Sequence, residues 1–66
     1  MVELIINGSR REVEAATVVD VVRELGLAGR PVVAEVDGAV LTEEQWASTE
    51  VRTGMNIELV HFVGGG

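Results

Sequence analysis

Thr17-Val18-Val19-Asp20-Val21-Val22-Arg23-Glu24-Leu25-Gly26-Leu27 is the stretch that settles how the chain must fold. Val18, Val21, Val22 and Leu25 stand at i, i+3, i+4 and i+7, one apolar stripe of a helix, while Asp20, Arg23 and Glu24 fall away from it. Thr17 with Asp20 three residues later has the form of a capping box, aspartate replacing the usual glutamate. Gly26 suits the left-handed position just past a helix end, with Leu27 folding back on the last turn. Valine is a weak helix former, so this helix holds only if its stripe packs on a sheet.

The flanking sequence supplies that sheet. Val2, Leu4 and Ile6 alternate with Glu3 and Ile5, the period of a half-buried strand, and Asn7-Gly8 is a strong hairpin signal because a type I′ turn needs positive φ at both central residues. Asn7-Gly8-Ser9 also matches a glycosylation sequon, but the turn is the favoured reading. Ser9 to Val13 returns as a more polar strand. Beyond the helix, Ala28 to Pro31 connects to a third strand, Val32 to Val36, ended by the turn pair Asp37-Gly38. Ala39-Val40-Leu41 forms a short fourth strand, and Thr42 to Trp46 a single helical turn with Trp46 covering the open end of the core. Thr53-Gly54 leads into the last strand, Asn56 to Val63. One helix on one mixed sheet buries one stripe and one sheet face economically. With the first and last strands side by side in the centre, the fold is α+β: a β-grasp (ubiquitin-like) roll, four to five strands on one main helix. Residues 1–63 are the domain, and 64–66 a flexible glycine tail.

Size and charge narrow the function. At 66 residues a chain buries only about 60% of its unfolded surface, which leaves no room for both a core and an enclosed catalytic cleft. This argues for a module that works on a partner. The net charge of −6 opposes nucleic-acid binding, which needs a basic face, and suits a partner with a basic rim. No apolar run approaches the roughly 20 residues that span a bilayer. Met1-Val2-Glu3 reads straight into a strand rather than into a signal peptide, so the expected location is cytoplasmic. The chain has neither cysteine nor lysine; it cannot hold sulfur as a persulfide or offer a side-chain amine.

Strand parity divides the remaining apolar residues. Leu4, Ile6, Ile57 and Leu59 face the helical stripe. Ile5, Val60 and Phe62, joined by Val33, are left on the sheet's open face, where a single short helix covers nothing. Beside a functional tail this reads as a docking surface; partial cover by loops is the alternative. His61, the only histidine, has no cysteine partner for a metal site and no serine or cysteine poised for a triad, so it is read as a rim contact. Glu43-Glu44 reads as a solvated pair rather than an acid–base couple. There is no phosphate-binding glycine loop. Val60-His61-Phe62-Val63-Gly64-Gly65-Gly66 then ends the chain. A glycine segment has no Cβ and is thin, and a carboxylate at its tip can reach down a narrow channel into another protein's active site; a frayed end is the bland reading.

The strand before Asn7-Gly8, the helix Thr17 to Leu27, Arg30-Pro31-Val32-Val33-Ala34, Asp37-Gly38, Trp46 and the ending Ile57 to Gly66 together resemble the ThiS family of sulfur carrier proteins in thiamine biosynthesis. The resemblance covers essentially the whole chain, and Phe62-Val63-Gly64-Gly65-Gly66 is its specific part. One departure is Asp37, where the family often has asparagine; both suit the turn. What the resemblance implies is a carrier, not an enzyme. A ThiF-like adenylyltransferase would use Mg-ATP to convert the carboxylate of Gly66 to an acyl-adenylate. Sulfur relayed from a cysteine desulfurase would then displace AMP, and a ThiG-like thiazole synthase would take it from the resulting thiocarboxylate. Gly64, Gly65 and Gly66 would enter the partner's site, with no cofactor or metal bound by this chain itself. The rival readings are a MoaD-like small subunit of molybdopterin synthase, typically longer and ending in a plain diglycine, and a β-grasp interaction domain with an incidental tail.

Overall fold

Seven elements follow one another in a computed structural model that describes residues 1–61. They are β1 (Val2–Ile6), β2 (Ser9–Val13), α1 (Val18–Glu24), β3 (Val32–Val36), β4 (Ala39–Leu41), α2 (Glu43–Trp46) and β5 (Asn56–His61). The five strands form one sheet in the order β2-β1-β5-β3-β4. β1 and β5 run parallel, and every other neighbouring pair is antiparallel. This is the mixed β-grasp sheet that the alternation and the single helical stripe predict. The predicted last strand extends to Val63; Phe62 and Val63 lie outside the described residues, as do Gly64, Gly65 and Gly66.

Local chemistry sets the ends of each element. Asn7 and Gly8 take φ of 51° and 83°, and Asp37 and Gly38 take 48° and 88°, so both two-residue hairpins use the left-handed turns that match strand twist. Thr17 and Asp20 form the capping box of α1. The Asp20 carboxylate accepts the N–H of Ala16 at 3.0 Å and of Thr17 at 3.1 Å. At the other end the N–H of Gly26 donates to Arg23 O and that of Leu27 to Val22 O, the paired bonds of a Schellman ending. Leu25 is thereby the C-cap rather than part of the helix. Its side chain is half-buried at the margin of the core instead of lying fully inside the stripe.

The core lies between the sheet and α1. Leu4, Ile6, Ile57 and Leu59 meet Val18, Val21 and Val22, all buried. Val13, Ala34, Val36, Trp46 and Val51 complete it. Val51 belongs to a segment that sequence pattern left unassigned: Thr17 bridges Glu50, the N–H of Val18 donates to Thr49 O, and that of Val51 to Ala16 O. These bonds hold the 49–51 stretch against the start of α1. No described helix is long and apolar enough to cross a membrane.

β5 is held from both sides. Beyond the backbone pairing, the Asn7 side chain accepts the Leu59 N–H at 2.8 Å and donates to Leu59 O at 3.2 Å, extending the β1 edge by one residue. On the opposite side Asp37 Oδ1 accepts the Asn56 N–H at 3.1 Å, and the Asp37 N–H donates to Asn56 O at 2.8 Å. The two turn residues thus position the strand that leads to the chain end.

Two expected outcomes test this account. Asn7→Asp keeps the acceptor and the turn conformation but sets a carboxylate oxygen against the Leu59 carbonyl; urea unfolding should show a loss of about 1–3 kcal/mol. Backbone hydrogen bonds from Ala16 and then Thr17 hold the Asp20 carboxyl below its ordinary value of 3.8. Because the folded value is the lower one, this stabilisation is full well above pH 3.8 and is lost as pH falls through the folded value. Asp20→Asn should therefore melt below the parent at pH 7, and the gap should close in melts taken at progressively lower pH below about 3.8.

Candidate functional site

The sheet face turned away from α1 carries the apolar residues that the core does not use. The register places Val33 directly opposite Val60 across β3 and β5, with 38% and 54% of their surface exposed. Two pairs further along the register, on the same face, Glu35 stands opposite Glu58 on β5 and opposite Val40 on β4. Val40 is 64% exposed. Alternation confirms the sidedness: Ala34 and Val36 on β3, and Ile57 and Leu59 on β5, point into the core.

The structure brings together only part of the predicted docking set. Val33 and Val60 are neighbours. Ile5 sits level with Asn56 and Arg10, four residues back along β5 from Val60, or about 13 Å at the rise of a strand. Ile5 is half-buried and belongs to a different part of the face. Phe62, Gly64, Gly65 and Gly66 lie outside the described residues. Val40 was missing from the predicted set; the signal was its place between Ala39 and Leu41, which puts it on the same face as Glu35 once β3 and β4 pair. His61 pairs with Val32 at the far end of β5 and is exposed.

On the helix side, an open groove of about 600 Å³ runs between α1, the 28–31 connection and α2, lined by Arg23, Arg30, Glu43 and Trp46. Trp46 is only 5% exposed, and its Nε1 has no hydrogen-bond partner among the described residues. A second groove, of about 610 Å³, is lined by Asp37, Ser48, Glu50 and Arg52 among others. In the second, the Ser48 hydroxyl donates to Gln45 O. Among the described residues no three histidine, aspartate or glutamate side chains converge as metal ligands. Among the described residues the sheet thus offers a partly apolar open face, with Val33, Val40 and Val60 exposed on β3, β4 and β5.

The ThiS family profile matches residues 4–66, which takes in both this face and the terminal glycines. The chain belongs to the ThiS family. Its fold agrees with the crystal structure of a ThiS thiamine biosynthesis protein from Geobacter metallireducens at 32% identity and a TM-score of 0.78, over 97% of this chain and 99% of that one. The solution NMR structure of a thiamine biosynthesis protein from the same organism gives 32% identity and a TM-score of 0.79, over 97% and 87%. A thiazole synthase of Paramagnetospirillum magneticum is 34% identical over 65 residues, 97% of this chain. The chain spans only 20% of the length of that relative.

If Val33, Val40 and Val60 are surface and Leu59 is core, Val60→Thr should change unfolding free energy by no more than about 0.5 kcal/mol. Leu59→Ala, one residue away on the same strand, should cost about 2–5 kcal/mol. Urea denaturation of the two variants measures the contrast.

Proposed function

We propose that this chain is a sulfur carrier whose reactive group is the carboxylate of Gly66. The family match that runs through Gly66 carries this reading. A terminal carboxyl has a pKa near 3.5, so at neutral pH it is ionised and able to attack the α-phosphate of ATP. The attack forms an acyl-adenylate and releases pyrophosphate. The terminal sulfur of a donor persulfide then adds to the activated carbonyl and AMP leaves, giving an acyl disulfide. A thiol cleaves its S–S bond, leaving the thiocarboxylate on the chain and a disulfide on the donor side. ATP and Mg belong to the partner adenylyltransferase, and the sulfur to a donor such as a cysteine desulfurase.

The division of labour suits the residues. With no cysteine in the chain, sulfur has only the carboxyl to ride on. Gly64 and Gly65 allow a close approach of backbone to the walls of a partner's channel, where a Cβ would collide. Val33 and Val60, with Phe62 beyond them, supply apolar contact for docking, and Ile5 lies further down the same face. The chain is then a co-substrate rather than a catalyst, and we place it in the cytoplasm with its ATP-using partner.

The acceptor of the sulfur is inferred from the relatives. Thiamine biosynthesis proteins among the solved neighbours, and a thiazole synthase that contains a region similar to this chain, support delivery to thiazole formation over use in molybdopterin synthesis.

Intact-mass spectrometry tests the reading directly. After incubation with the cognate adenylyltransferase, Mg-ATP, cysteine, a desulfurase and a reducing thiol, the chain should gain the mass difference of one sulfur replacing one oxygen, localised to Gly66 by fragmentation. A variant lacking Gly65 and Gly66 should remain unmodified and melt at the same temperature as the parent. An unchanged mass for the full chain overturns the proposal.

A further inference from the structure

The open face carries two like-charged pairs set directly opposite each other. Glu3 faces Glu12 across β1 and β2, and Glu35 faces Glu58 across β3 and β5. Like charges in that position weaken a sheet. The first pair has a counter-ion of its own, since Arg10 Nε lies 3.8 Å from Glu3 Oε1. The second has none among the described residues. Arg23 lies beside Asp20, Arg30 lines the helix-side groove, Arg52 lines the other groove, and Arg11 pairs with Leu4 and so has the opposite parity. The chain has no lysine.

The surroundings of the second pair differ as well. Val33, Val40 and Val60 ring it, all exposed, and Glu35 itself is half-buried. A partner covering those valines would also strip water from the two carboxylates, and charges taken out of water without an opposite charge are strongly disfavoured. The face therefore selects a partner that brings a cation to this point. A guanidinium fits best: its planar fork meets carboxylate oxygens with paired hydrogen bonds, and its weakly hydrated faces lie well on apolar side chains.

We infer that Glu35 and Glu58 are the specificity-determining contact of the docking face, receiving an arginine side chain of the activating adenylyltransferase. The identity of that partner rests on the function proposed above. The contact itself rests on the register, the missing counter-ion and the ring of valines.

The test titrates the full chain into the cognate adenylyltransferase with ATP withheld, so that binding is read without chemistry. The parent should bind with an affinity that falls as salt is raised. The double variant Glu35→Gln, Glu58→Gln should bind about tenfold or more weakly. Glu12→Gln, which touches the compensated pair, should bind like the parent. Thermal melts should show the double variant as stable as the parent or slightly more so, because repulsion is relieved. The inference is overturned if the double variant keeps its affinity within about twofold. It is also overturned if Glu12→Gln loses as much, if affinity and melting temperature fall together, or if the parent does not bind. Binding that depends on Glu35 and Glu58, in a chain that gains no sulfur once ATP and a donor are added, sustains this contact and overturns the carrier reading alone.

Discussion

β5 is the central strand of the sheet, and it is fixed by bonds reaching it from both sides. β1 pairs with it in parallel and β3 antiparallel. Where the β1 ladder would run out, the Asn7 side chain takes over at Leu59; where β3 turns into β4, Asp37 grips Asn56. A parallel pair cannot be closed by a tight turn. Here the two strands are separated by β2, α1, β3, β4 and α2, so their pairing is a long-range contact that the folded body holds in place. Clamping the central strand therefore ties its placement, as far as His61, to the integrity of the body.

The same clamp sorts the residues of β5 into two jobs. Ile57 and Leu59 are held against Val18, Val21 and Val22 and supply stability. Glu58 and Val60 are turned outward by the strict alternation of a strand and contribute little to the core. A slip of one residue in the β5 register would exchange these roles and bury a glutamate. Isoleucine and leucine on one parity, with glutamate and valine on the other, make that slip costly. The outward face can thus vary in chemistry without loosening the fold beneath it.

Local chemistry was legible from sequence, and long-range geometry only in part. The capping box at Thr17 and Asp20, the Schellman ending at Gly26, and the two hairpins at Asn7-Gly8 and Asp37-Gly38 each depend on a few consecutive residues, so pattern alone reveals them. Economy of burial asked for one mixed sheet on one helix; the central pairing of the first and last strands was the condition on which the β-grasp reading stood, and the register meets it. Parity placed Ile5 and Val60 on one face but not the distance between them, because it reports which face a residue occupies and not its height along the sheet. That height is set by the β1–β5 register, a relation between residues some fifty positions apart. Val51 was missed because a lone valine among polar neighbours has no period; its burial comes from hydrogen bonds that seat 49–51 beside α1. The side-chain reach of Asn7 to Leu59 has the same origin, since a turn asparagine advertises its φ angle and not its distant partner.

Magnitudes indicate why a carrier of this design needs more than an apolar patch. Ordering a residue costs about 1–2 kcal/mol in backbone entropy, so threading Gly64, Gly65 and Gly66 into a channel costs about 3–6 kcal/mol before any rigid-body cost of association. Fully burying a valine-sized side chain gains about 1.5–3 kcal/mol. Val33, Val40 and Val60 are already partly covered, so together they return about 3 kcal/mol when docked. The apolar face alone leaves a deficit, to be met by contacts along the threaded segment and by charge. On the proposed function, a body with net charge −6 draws a partner of basic surface from a distance, which speeds encounter. The uncompensated carboxylates among the valines then convert that general attraction into a demand for one cation at one place. On this reading, selectivity resides in the rigid sheet face and reactivity in the glycine end, and β5 is the element that joins them.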